Sequence, residues 1–325
     1  MKIRKVFMIY NSGAGKNRSQ VRAKEIEALL SARGVDCVLF ESNNKAADAQ
    51  FALMVKDAQE LGDDGLCVVV LGGDGTLGAI VRSMVNSGVD VPVAVFPCGT
   101  ANDFATANRI PKKANKFVDF LFKTAPQCTD IAVVSGVDSV QKQATSTIAI
   151  NAVGAGNFSN GVTVYNTKAK KTFGVLGYYF GCVREFFHMK SCELTFNCDG
   201  EKIKVDTLMF YLVNSPRAGG FGHFAPDAKI NDGKFELVIV KKTGFWGCLS
   251  VFNAIRHGKA DKNKHIITRS VKNVTVSGGE HHPKFFKCDI DGNAGPEGTL
   301  KVSIKQNKIR IFNNLKDESK KNKLG

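Results

Sequence analysis

The 325 residues carry 45 Lys and Arg against 30 Asp and Glu, a formal charge of +15, with 43% hydrophobic and 23% charged residues. That is an ordinary composition for a soluble globular chain, long enough for two domains with real cores. The longest apolar stretch, 173–183, is too short and too glycine-rich to span a bilayer, and the apolar run 6–10 is too short for a signal peptide, so a cytoplasmic protein is expected.

In chain order, residues 3–10 read as a first strand, followed by a turn of Asn11, Ser12, Gly13, Ala14, Gly15 and Lys16. The turn is not a Walker A loop, because Tyr10 and Asn17 occupy the diagnostic positions. Its glycines and Lys16 suit phosphate, or Lys16 simply faces solvent. Residues 21–30 read as a helix with Gly34 as its cap, 35–40 as a second strand, and 46–61 as a second helix ending near Gly62.

Residues 66–71 form an unbroken apolar run, the pattern of a buried parallel strand. Gly72, Gly73, Asp74, Gly75 and Thr76 follow, and then Leu77, Ile80, Val81, Met84 and Val85 recur at helical spacing. A glycine turn between strand and helix lets a ligand approach the backbone and meet unpaired helix N–H groups, which suits phosphate. Asp74 would repel a phosphate unless a cation lies between them, so it argues for a Mg-nucleotide. The alternative is a tight turn whose Asp caps a helix. Gly73, Gly75 and Gly78 also satisfy G-x-G-x-x-G, but Asp74 would face a pyrophosphate directly and no acidic residue closes a following strand at the required distance, so a dinucleotide fold is rejected.

Residues 91–96 read as a fourth strand leading into a second polar turn that contains Thr100, Asn102 and Asp103; 112–122 read as a helix. Alternating strands and helices imply a parallel sheet with its strand ends at one crevice. From residue 128 the segments become strand-like: 130–134, 146–152, 194–196, 202–205, 208–214, 234–240, 271–276, 285–290 and 300–304. Many alternate by twos, as in an antiparallel sandwich. A helical, largely apolar insertion is expected near 170–188, a basic loop at 256–264, and a charged tail at 313–325. The expected architecture is therefore an α/β nucleotide-binding domain with a parallel sheet (1–127) plus an all-β antiparallel sandwich (128–312).

The nine cysteines include no C-x-x-C pair and are expected to be reduced, most of them small core residues such as Cys37, Cys67 and Cys98. Cations spread over 168–171, 241–242, 256–264 and 316–323. With 23 phenylalanines they favour an anionic membrane surface as partner, with peripheral association and no nucleic acid; a generic basic surface is the competing reading. A homodimer is left open. Two acidic turns stand in the second domain, 225–233 and 288–293, and hairpin turns explain each of them equally well when taken alone. The second begins like an EF-hand loop but has Ala294 where the sharp-turn Gly belongs.

GGDGT at 72–76, PCGTANDFA at 97–105, NSGAGK at 11–16 and APDAKINDG at 225–233 resemble the diacylglycerol kinase-like family of soluble bacterial lipid kinases, related to sphingosine kinases. NAD kinases and phosphofructokinases carry turns like the first, and the second makes the resemblance specific. The resemblance implies ATP and Mg²⁺ as cofactors, a lipid substrate meeting ATP in a cleft, and transfer of the γ-phosphoryl to a lipid hydroxyl, diacylglycerol by default. A soluble-substrate kinase of the NAD kinase type and a catalytically weak lipid- or nucleotide-binding relative are the rivals. Carried over by position, the nucleotide contacts are Asn11, Ser12, Gly13, Gly15, Lys16, Gly72, Gly73, Asp74, Gly75, Thr76, Thr100, Asn102 and Asp103. Lys229, Asp232 and Lys234 correspond to a structural Mg²⁺ site, with one carboxylate and two backbone carbonyls, and Asp74 would connect to it through water and metal. The family reads Asp-Gly-Glu near its end, the Glu being the base; here it is Asp291, Gly292, Asn293. Neutral Asn293 cannot accept a proton. Either Asp291 or Glu297 substitutes, or the reaction runs slowly without a base, or the protein is not a kinase; a lost general base typically costs ~10²–10⁴-fold.

Overall fold

Apolar runs without alternation become the parallel strands of the first unit. In a computed structural model that describes residues 2–11, 18–138, 140–156, 190–278 and 288–315, β1 (Lys5–Asn11), β2 (Asp36–Ser42), β3 (Leu66–Gly72) and β4 (Val93–Pro97) lie in the order β2-β1-β3-β4. All three pairings are parallel. β3 is buried at every position, as a strand covered on both faces must be. The helices are α1 (Arg18–Ser31), α2 (Lys45–Glu60), α3 (Asp74–Asn86), the short α4 (Asp103–Ala107) and α5 (Ala114–Lys123). The two expected glycine stops hold: Gly34 and Gly62 adopt φ of 73° and 81°, a conformation that is cheap only without a Cβ.

This strand order fixes where a ligand can sit. From β1 the chain moves outward to β2; from β3 it moves to β4 on the other side. The carboxyl ends of β1 and β3 therefore flank the topological switch point, where open α/β sheets bind ligands. Asn11 and Gly72 are the last residues of those two strands.

The second unit, Asp130–Asn307, is β-rich, and its pairings given by residue register are antiparallel. Its elements are β5 (Pro126–Val137), β6 (Ala144–Ala149), β7 (Ala152–Gly156), β8 (Cys192–Cys198), β9 (Glu201–Val213), β10 (Phe235–Lys241), α6 (Phe245–Arg256), β11 (Ile266–Val271), β12 (Asn273–Gly278), β13 (Cys288–Ile290), β14 (Asn293–Ala294) and β15 (Glu297–Phe312). The two segments expected at 202–205 and 208–214 are one strand, β9, whose first half pairs with β8 and whose second half pairs with β7 and β10. One core gathers Phe196, Phe210, Leu212, Leu237 and Ile290; a second, beneath α6, gathers Tyr211, Phe224, Val238, Val251 and Ile255. The sequence reading left 245–256 without an element, because its apolar residues fall on several sides and Gly247 interrupts them. The expected insertion at 170–188 lies outside the described residues.

The C-terminal strand departs from the expected domain limits. From Lys308 it belongs to the first unit, where Ile311 pairs in parallel with Val93 and Arg310 Nε donates to the Asp90 carboxylate at 3.0 Å. Phe312 stands edge-on to Phe120 at 6.3 Å. Asn313, expected to open a charged tail, is fully buried, and the Asn314 N–H donates to the Asn108 carbonyl at 3.0 Å. Among the described residues no helix is long and apolar enough to cross a membrane. The described cysteines are free thiols.

Candidate functional site

β3 and β4 run parallel and deliver their glycine turns side by side. The Cys98 N–H donates to the Gly72 carbonyl at 2.9 Å, which extends the ladder by one rung. A Cβ on Gly99 would stand 2.5 Å from the Gly73 Cα, and one on Gly73 would stand 3.2 Å from the Gly99 Cα. The two backbones thus touch where no side chain fits. Gly72 serves its own turn, since a Cβ there would come within 2.5–2.8 Å of the Thr76 side chain.

Asp74 braces this contact. Its Oδ2 accepts the Asp103 N–H at 3.0 Å and its Oδ1 accepts the Phe104 N–H at 2.9 Å. Those are the first two donors of α4, which have no intrahelical partner, and the helix dipole favours a negative charge there. Asn102, which precedes α4, is left-handed (φ 51°) and does not cap it. Its amide instead staples the turn, accepting from the Gly99 N–H at 2.9 Å and donating to the Gly99 carbonyl at 2.7 Å. The helix-capping alternative for Asp74 is therefore what the geometry displays, although the capped helix starts 29 residues onward. Each carboxylate oxygen keeps a second lone pair for water or metal.

Of the other expected nucleotide contacts, Gly75 and Thr76 lie in the first turn of α3, Thr100 is exposed, and Asp103 is buried. Asn11 ends β1 with its carbonyl accepting from Ser19 Oγ at 2.7 Å. Ser12, Gly13, Gly15 and Lys16 lie outside the described residues.

In the second unit Asp291 and Gly292 form the left-handed turn (φ 52° and 87°) of the β13–β14 hairpin, where Ile290 pairs with Asn293. The Asp291 carboxylate is 3% exposed by residue and accepts the N–H groups of Ile150 (2.8 Å), Asn151 (2.9 Å) and Ala152 (2.8 Å). It clamps the corner between β6 and β7. A carboxylate committed to three backbone donors is accounted for by the fold of this corner. Glu297, the other substitute, is met by Lys142 Nζ at 3.3 Å.

The sequence reading missed Asp289. Register places Tyr211, Gly154 and Asp289 in one cross-strand row. Gly154 has no side chain because the Tyr211 ring occupies that space. Asp289 Oδ1 accepts the Gly292 N–H at 3.0 Å. Burial pushes its carboxyl up to about 6, with the Asp291 charge adding to the rise and the Gly292 hydrogen bond opposing it. Burial first, and the Asp289 charge second, also push the Tyr211 phenol up. The signal lay in the alternation: Cys288 and Ile290 are core residues, so Asp289 faces the other way.

A buried polar string ties this hairpin to the loop that carries the expected metal residues. Asn214 Nδ2 donates to the carbonyls of Ile150 (2.9 Å) and Asp130 (3.0 Å). The Asp130 carboxylate, fully buried, accepts the N–H groups of Gly233 (2.5 Å) and Asn307 (2.8 Å), while burial pushes its carboxyl upward. Asp232 is exposed and its Oδ1 accepts the Lys234 N–H at 3.0 Å. Among the described residues no three His, Cys, Asp or Glu side chains converge on a metal position. The expected set needs only one carboxylate. Burial pushes the nearby Glu236 carboxyl up; the charges of Asp232 and Asp227 add to the rise, a locally negative field that the Ser270 hydrogen bond and the Lys234 charge partly offset. A hydrated Mg²⁺ held by one carboxylate and carbonyls fits that field.

A diacylglycerol kinase catalytic domain model matches residues 5–157, and a YegS C-terminal NAD kinase beta sandwich-like domain model matches 151–313. The chain belongs to the diacylglycerol kinase-like family. As a member it is a lipid kinase. The diacylglycerol kinase of Staphylococcus carnosus is 27% identical over 290 residues, covering 89% of this chain and 88% of that one. That of Bacillus subtilis is 27% identical over 229 residues, covering 70% and 71%. A crystal structure of a diacylglycerol kinase from Bacillus anthracis shares the fold with a TM-score of 0.69 at 18% identity, covering 97% and 98%. Yeast NADH kinase complexed with NADH is more distant in fold, with a TM-score of 0.51 at 12% identity, covering 100% and 88%.

Proposed function

We propose that the chain transfers the γ-phosphoryl group of ATP, with Mg²⁺, to the hydroxyl of a membrane lipid, most simply turning diacylglycerol into phosphatidic acid. The observation that supports this best is the backbone contact between Gly73 and Gly99 at the carboxyl ends of β3 and β4. It brings the two turns together with no side chain between them, so that a polyphosphate can approach the backbone there. Gly72, Gly73, Gly75, Thr76 and Thr100, together with the turn at 11–16, cradle the phosphates. Asp74 holds α4 against that cradle.

Phosphoryl transfer depends mostly on positioning and charge neutralisation. When bound, Mg²⁺ supplies positive charge, and Asp232 with the carbonyls of Lys229 and Lys234 would hold such an ion. Asn293 cannot serve as the base. Asp289, half-buried and with its carboxyl pushed up to about 6 by burial, is the residue assigned to accept the proton of the lipid hydroxyl as that oxygen bonds to the γ-phosphorus and ADP leaves. The formal charge of +15 supports work at an anionic surface. The test is labelled ATP with diacylglycerol in mixed micelles and, separately, with NAD. Label in the lipid that falls sharply in Asp289→Asn is the expected result. Label on NAD and none on lipid overturns the proposal.

A further inference from the structure

We propose that the first turn of α6, centred on Trp246, is the edge by which this chain seats on an anionic lipid bilayer. Trp246 is the chain's single tryptophan and is 80% exposed. It is not an isolated surface residue, since the Phe245 ring meets it edge-on at 5.4 Å. The opposite end of α6 is anchored: Val251, Ala254 and Ile255 are buried in the core beneath it. The helix therefore holds two aromatic rings in a fixed place in front of a packed base.

The surroundings are cationic. Residues 241–265 contain Lys241, Lys242, Arg256, Lys259, Lys262 and Lys264 against one acid, Asp261. Hydrogen bonds bring the loop that carries them back along the helix. The Lys259 N–H donates to the Ala254 carbonyl at 2.8 Å, Asn263 Nδ2 donates to Ser250 Oγ at 2.9 Å, and the Lys241 N–H donates to the His265 carbonyl at 2.9 Å. Asp206 joins at the base, its carbonyl accepting the Lys242 N–H at 2.8 Å.

An indole with an apolar body and one N–H donor partitions to the boundary between acyl chains and headgroups. Lysines beside it add attraction to anionic headgroups, and one weak anchor becomes useful only with a second signal of this kind. A second copy of the chain carries the same positive edge and would be repelled. The charge and the aromatic step together match an anionic bilayer. The inference rests on the lipid-substrate reading and says which surface brings the enzyme to that substrate.

Trp246 reports on itself. The full chain is mixed with vesicles of phosphatidylcholine alone or with phosphatidylglycerol, and tryptophan emission is recorded with and without brominated acyl chains. With anionic vesicles the emission is expected to shift to the blue, to be quenched by bromine and to recover in high salt. Co-sedimentation with the vesicles is expected to fall at least tenfold in Trp246→Ala and in Lys241→Glu/Lys242→Glu. Trp246→Ala is expected to keep its activity in detergent micelles and lose it on vesicles. Vesicle binding without any change in emission overturns the proposal, as does an emission shift produced by RNA, by an acidic protein or by raising the protein concentration without lipid. Quenching without lipid phosphorylation would defeat the substrate reading alone; phosphorylation in micelles with no quenching on vesicles would defeat the docking surface alone.

Discussion

The carboxylate of Asp74, at the start of α3, receives the N–H of Phe104, in the first turn of α4, at 2.9 Å. A second bond from Asp103 makes the contact bidentate. Replacing Asp74 with Ala would leave two helix-terminal donors unpartnered, at roughly 1–3 kcal/mol each where water cannot reach them. We expect Asp74→Ala to destabilise the chain by about 2–4 kcal/mol, and Asp74→Asn by about half of that, in urea unfolding. ATP affinity should fall in both. If Mg²⁺ chelation weakens ATP binding equally in the wild type and in Asp74→Asn, the residue acts through α4 and not through the ion.

The proposed role of Asp289 bears on the acid limb of the pH profile. With its free carboxylate as the proposed proton acceptor, kcat/KM on diacylglycerol should drop as pH falls through about 6, and Asp289→Asn should flatten that limb while lowering the rate ~10²–10⁴-fold. The stability effect runs the other way. A carboxyl whose folded value lies above its unfolded one binds protons preferentially in the native state, so its favourable contribution is present at low pH and is lost as pH rises through about 6. Asp289→Asn should therefore raise the unfolding midpoint at pH 7.5 and leave it unchanged near pH 4.

Asp291 and Asn293 separate in opposite directions. Asp291→Ala leaves three backbone N–H groups of the β6–β7 corner unmet, and we expect a loss of about 3–5 kcal/mol, visible in denaturant titration before any assay is run. Asn293→Glu supplies a carboxylate on the next strand of the same hairpin. It should raise turnover and restore activity to Asp289→Asn without changing the unfolding midpoint by more than about 1 kcal/mol.

Gly99→Ala should be more damaging than its size suggests. Its Cβ would lie 2.5 Å from the Gly73 Cα and 2.9 Å from Asn102 Oδ1, and backbone cannot swing aside as a side chain can. We expect at least tenfold weaker ATP binding by calorimetry, with circular dichroism unchanged. Native-like ATP affinity in this variant would argue against the cradle.

The first unit was legible because its signals are local. The apolar run of β3, the glycine stops at Gly34 and Gly62, and the glycine turns each announce themselves within a few residues. What escaped depends on distance along the chain. Asp74 finds its partners 29 and 30 residues later, and nothing nearby in sequence marks it as a brace. The return of Lys308–Phe312 to the first unit was hidden because its partners there, Val93 and Asp90, lie far back in the chain. α6 was missed for want of a single apolar stripe, and Asp289 because Asp291, two residues on, carries the more conspicuous motif.

The clamp made by Asp291 has a bearing on divergence. Because that side chain fastens the hairpin to the β6–β7 corner from within, the loop's shape has a support that does not run through position 293. A lineage can therefore lose an acid at one rung and recruit another two positions before the turn while the scaffold stays as it was.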